Sequence, residues 1–124
     1  MEAEKPYSIE IENRGSYVYA IVGGLKVTSE IALDYWAEIN KECEEIGVSK
    51  ILLEHNFVTM ISMEEMLEVI GPVADLLKGR TFAFVDRYSH YEIPEAGKKI
   101  LRAKDVKMQI FSDVEEAEKW LLAN

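Results

Sequence analysis

The feature that most constrains this chain is a change of hydrophobic period that recurs along it. Short segments patterned for strands (Lys50-Ile51-Leu52-Leu53-Glu54, Arg80 to Asp86, Val106 to Phe111) alternate with longer ones whose apolar residues fall at helical spacing. Single helices between consecutive strands force those strands parallel, and right-handed crossovers then fix most of the topology. The expected fold class is therefore α/β: a single mostly parallel sheet of about five strands with an N-terminal antiparallel hairpin, order ββαβαβαβα, carrying about four helices packed mainly on one face.

The hairpin is read from local chemistry. Tyr7-Ser8-Ile9-Glu10-Ile11-Glu12 alternates apolar and polar as an edge strand with one wet face must, and Asn13-Arg14-Gly15-Ser16 supplies the turn. The second arm, Tyr17 to Val22, is apolar on both faces and belongs inside the sheet, with Gly23-Gly24 expected to end it. From Thr28 the period changes: Ala32, Tyr35, Trp36, Ile39, Cys43 and Ile46 share one helical face, Thr28 or Ser29 is the N-cap, and Gly47 stops the helix. Ser62-Met63-Glu64-Glu65 has the spacing of a capping box, opening a helix to about Leu77. Pro94 suits the first turn of a shorter helix to Ala103, and Ser112-Asp113-Val114-Glu115-Glu116 caps a last helix with Ala117, Trp120 and Leu121 inward.

Composition narrows the function classes. A chain of 124 residues with 48% hydrophobic residues fits one domain, 1–124, and holds a core without disulfide or metal. The lone Cys43 excludes an intramolecular bridge and, on the apolar helix face, reads as a small core residue. No apolar run approaches membrane-spanning length and the N-terminal stretch is acidic, so neither membrane insertion nor a secretory signal is expected, and the cytoplasm is the expected location. A net charge of −9 opposes nucleic-acid binding through phosphate neutralisation. The local exception is residues 78–107, with eight basic and four acidic groups; Lys98, Lys99, Arg102 and Lys104 there read as a solvated helix face with Glu95 pairing to Lys99.

The ending Val106-Lys107-Met108-Gln109-Ile110-Phe111-Ser112-Asp113-Val114-Glu115-Glu116-Ala117-Glu118-Lys119-Trp120-Leu121, with the preceding strand Thr81-Phe82-Ala83-Phe84-Val85, resembles the SpoIIAA-like branch of the STAS superfamily, named for sulfate transporters and anti-sigma-factor antagonists. The resemblance spans nearly the whole chain. It implies a (βα) superhelix related to the lipid-carrying CRAL-TRIO domains. In anti-sigma-factor antagonists, a partner kinase phosphorylates a serine at the start of the helix after the third strand and so breaks a complex; the matching position here is Ser62. Its context, Ile61-Ser62-Met63-Glu64-Glu65, lacks the Asp and Gly of the Asp-Ser-Ser-Gly-Leu type motif, and Ser62 reads from its residues as a helix cap.

In open parallel sheets, ligands bind at the carboxyl ends of the strands. His55 and Asn56, directly after the expected end of the third strand, and Arg87, Tyr88, His90 and Tyr91 in the loop after the fourth are therefore the candidate ligand-binding residues. The same residues also fit an ordinary polar loop covering the sheet end. No HExxH, CxxC or EF-hand spacing is present, so no metal or other cofactor is expected, and no catalytic set of nucleophile, base and orienter is visible. The expected function is a non-enzymatic binding or regulatory domain acting through protein contacts or a small ligand. The alternative, by analogy with CRAL-TRIO domains, is a carrier of a small apolar or amphipathic molecule. Self-association as a homodimer is also expected, because helices on one face would leave Tyr17, Tyr19 and Ile21 in need of cover.

Overall fold

The computed structural model of the chain describes residues 6–124; residues 1–5, most of the acidic N-terminal stretch, lie outside the described residues. The elements are β1 (Ser8–Asn13), β2 (Val18–Lys26), α1 (Ser29–Ile46), β3 (Lys50–Thr59), α2 (Met63–Leu77), β4 (Thr81–Asp86), α3 (Glu92–Ala103), β5 (Lys107–Phe111) and α4 (Val114–Ala123). One sheet runs in the order β1-β2-β3-β4-β5, with β1 antiparallel to β2 and the rest parallel. The expected α/β architecture is the observed one, edge strands included.

Side-chain alternation divides the sheet between two cores. Val18, Ala20, Val22, Ile51, Leu53, Phe57, Phe82 and Phe84 pack with buried residues of α1, α2 and α3, whereas Leu52, Ala83 and Val85 pack with Ala117 and Leu121 of α4. That fourth helix changes the argument for a dimer. Tyr17 is buried beneath it and donates a hydrogen bond to Glu118, and Tyr19 and Ile21 are partly buried, so these side chains do not require a second copy.

Two strands are longer than the sequence suggests, for a common reason. Gly23-Gly24 does not end β2, which stays paired with β3 out to Lys26 opposite Thr59. A Cβ on Gly23 would meet the Asn56 carbonyl oxygen at 3.1 Å, and one on Gly24 would meet the Phe57 ring at 3.3 Å. The glycines permit close approach inside the sheet and make no turn there. The extension brings His55 and Asn56 into β3.

Three of the four helix starts carry side-chain caps, α3 being the exception. Thr28 accepts from the Ile31 N–H, Ser62 from the Glu65 N–H, and Asp113 from the Glu116 N–H. The Ser62 box is not closed by Glu65 in the expected manner. The Glu65 carboxylate accepts from the Ser62 hydroxyl at 3.4 Å and from the Ser29 N–H at 3.1 Å, tying the start of α2 to the first residue of α1. α3 begins at Glu92, two residues before the expected Pro94, and Lys98 donates to Gln109 on β5. No Glu95–Lys99 ion pair is present among the described residues.

Candidate functional site

The inward face of β3 reads Ile51, Leu53, His55, Phe57, and the register sets His55 beside Asp86, the last residue of β4. His55 is fully buried, its ring centroid 5.0 Å from those of Phe57 and Phe84 and 6.5 Å from that of Tyr35. Neither ring nitrogen has a hydrogen-bond partner. Its Nδ1 is 3.9 Å from Asp86 Oδ2, beyond hydrogen-bond reach. Burial, reinforced by the nearby His90, pushes the His55 pKa down to about 3, so the imidazole is neutral at pH 7.

Asp86 is also buried, but it is satisfied. Its carboxylate accepts from the Tyr88 N–H at 2.8 Å and from His90 Nδ1 at 3.0 and 3.2 Å. Ser89 makes this possible by adopting a left-handed backbone (φ 57°), which turns the chain so that His90 folds back onto the end of its own strand. A carboxylate can only accept, so Nδ1 of His90 carries the proton.

His55 lines a cavity of about 80 Å³ between the sheet and helices α1, α2 and α3. The wall is built from Val27, Ala32, Met66, Val69, Val73, Phe82, Phe84, Leu101 and Met108, among others; only Tyr35, Trp36 and His55 in the lining carry a side-chain nitrogen or oxygen. Met60, Ile70 and Ile93 are partly exposed lining residues, so the wall reaches the surface where α2 and α3 meet. Small residues leave the room: Ala32 on α1, and Gly97 on α3, whose Cβ position would be 3.6 Å from Ile70 and 3.8 Å from the Met66 sulfur. A buried water is held by about three polar partners, which this lining supplies poorly.

The sheet separates the residues expected to form one site. His55 and His90 converge on Asp86 on the helix side. Asn56 and Arg87 line a different hollow beyond the sheet with Glu54, Ser112 and Asp113. There Glu54 accepts from the Tyr19 hydroxyl at 2.6 Å and from the Asn56 amide at 2.9 Å. Tyr91 lines a third, with Glu95, Phe111 and Glu116, and Tyr88 is exposed, its ring 6.1 Å from that of His90. Tyr35 as a site residue and the cavity wall are the parts sequence reasoning missed. The spacing Ile51, Leu53, Phe57 around His55 carried the signal, since it continues the inward face past Glu54.

No protein-family model matches the sequence, and no curated protein matches it either. Several solved structures match, two of them along nearly the whole length as follows. One is an uncharacterised DUF3478-family protein with a SpoIIAA-like fold from Shewanella loihica PV-4: 16% identity, 98% of each chain covered, TM-score 0.54. The other is an anti-sigma factor antagonist from Mycobacterium paratuberculosis: 10% identity, 98% of this chain and 99% of that one covered, TM-score 0.62. The fold is SpoIIAA-like. The SpoIIAA-like domain thus has the architecture implied by its ending and its fourth strand, and Ser62 stands exposed as the N-cap of the helix after β3. Among the described residues, no helix is long and apolar enough to cross a membrane, and no group of three or more His, Cys, Asp or Glu side chains is placed to hold a metal ion.

Proposed function

We propose that this chain is a non-enzymatic binding domain of SpoIIAA-like fold whose ligand is a small apolar or amphipathic molecule, held in the cavity between the sheet and α1, α2 and α3. One observation carries the reading: an apolar cavity is retained in a close-packed core with a fully buried, unpartnered histidine in its wall. Each feature costs stability, and a ligand that fills the space and meets the imidazole offsets both. The test is native mass spectrometry of protein purified from its own cell, with solvent extraction of whatever is bound. A stoichiometric small molecule supports the proposal. An empty protein whose melting temperature is also unmoved by short alcohols contradicts it.

A second reading, regulation through a protein partner, is favoured by a different observation. Leu25 and Val58 at the strand ends, Met63 and Leu67 on the first turns of α2, and Tyr88 and Tyr91 after β4 are exposed. All belong to elements at the carboxyl end of the parallel strands, where Ser62 also lies. Val58→Asp with Leu67→Asp should leave the fold intact and abolish a partner's binding. Retention of that binding would remove this reading.

A further inference from the structure

Resting on the proposed cavity ligand, we infer that the molecule recognised there carries a single neutral hydroxyl as its polar group, and that His55 reads this hydroxyl and disfavours carboxylic acids of the same size. The proposal stands on how the charges around the imidazole are arranged. Asp86 sits 3.9 Å from His55 Nδ1, and its position is fixed by the Tyr88 amide and His90. A fixed carboxylate next to Nδ1 favours the tautomer with the proton on Nδ1. That leaves Nε2 as a buried acceptor with nothing to accept from.

An O–H donor completes it. A ketone or aldehyde brings no donor for Nε2, and an alkane fills space but leaves the nitrogen unpartnered. A carboxylate would put a second negative charge beside Asp86, facing an imidazole that burial keeps neutral. An alkylammonium could donate, but it would have to shed its water in an apolar wall, and the charge that could compensate it is already paired with His90. The volume sets the scale of the apolar part: about 80 Å³ is smaller than the roughly 150 Å³ of an engineered cavity that accepts benzene. A chain of a few carbons fits within, and a longer one extends past Met60, Ile70 and Ile93.

The experiment uses the full chain and a matched set of probes, pentan-1-ol, pentanoate, pentylamine and pentane, measured by calorimetry and by the ¹⁵N shifts of the His55 ring. Pentan-1-ol is expected to bind about tenfold more tightly than any of the others, the ratio one hydrogen bond supports. Its binding should shift the Nε2 resonance, and His55→Leu should reduce it to the affinity of pentane. The shift in the unmodified protein decides the matter if that variant folds poorly. Equal affinity for pentane and pentan-1-ol, or a preference for pentanoate or pentylamine, overturns the hydroxyl inference and leaves the cavity reading standing. If no probe binds the unmodified chain, both fall together.

Discussion

Two neighbouring residues of β3 meet opposite environments. Glu54 points toward α4 and is met by the Tyr19 hydroxyl and the Asn56 amide, in a small core completed by Leu52, Ala83, Ala117 and Leu121. His55 points toward α1, α2 and α3 and meets aromatic rings, a cavity and no hydrogen-bonding partner. The α4 side is a small core whose charged rim residue, Glu54, holds two donors; the group it leaves unsatisfied is Oδ1 of the half-buried Asn56, at the edge of a hollow open to solvent. On the three-helix side, the larger core tolerates a void and a polar group that it does not satisfy. Cores optimised for stability alone have neither feature, which is why the cavity side is the functional one in this account.

The contrast can be broken from the packed side first. Leu121→Ala removes a fully buried side chain between α4 and the sheet and should cost about 3 kcal/mol, read from urea unfolding. A smaller but more telling effect comes from making the same enlargement on both sides. Ala117→Leu should destabilise by about 2 kcal/mol because nothing beneath α4 can move aside. Ala32→Leu grows into existing space and should change stability by no more than about 1 kcal/mol, in the stabilising direction. Equal penalties at the two alanines would mean that the cavity is not available volume.

Acid should act through the cavity side. In the unfolded chain His55 takes up a proton near pH 6.5, whereas in the folded chain it does so only near pH 3. Between these values the unfolded state binds the extra proton. The contribution of a neutral His55 is therefore complete above about pH 6.5 and is lost as the pH falls, at up to about 1.4 kcal/mol per pH unit. Subtracting the unfolding profile of His55→Leu isolates this slope from those of the chain's other titrating groups. Smallest is the cap at the start of α2: Ser62→Ala should cost about 1 kcal/mol, and Ser62→Asp, which can also cap, should retain stability. Loss of a specific partner with Ser62→Asp alone would instead make Ser62 a switch.

The architecture was legible because strand and helix periods alternate cleanly and because Thr28, Ser62 and Asp113 announce the helix starts. The ends of β2 and β3 were not. Gly23-Gly24 reads as a turn, and only the three-dimensional approach of Asn56 and Phe57 shows why a side chain is excluded there. That misreading hid the placement of His55 as well, since a strand stopping at Glu54 leaves the histidine in a loop. The cavity has no sequence signature, because it arises where Ala32 and Gly97 from separate helices leave volume unfilled. The strands were readable as parallel, but the cluster His55, Asp86, His90 also required the particular pairing of His55 with Asp86 and a left-handed Ser89, neither of which a pattern of residue types discloses.

On the proposed reading, His55 is kept in the core at a cost to stability because a ligand needs it. This reading is tested most directly by comparing the ligand-free unfolding free energies of the natural chain and of His55→Leu at pH 7 and pH 5. Leucine lacks polar atoms and packs against Phe57 and Phe84, so the account predicts a variant about 1 kcal/mol more stable at pH 7, with a larger margin at pH 5. A variant less stable than the natural chain at both pH values would show that His55 serves the fold, and would contradict the account.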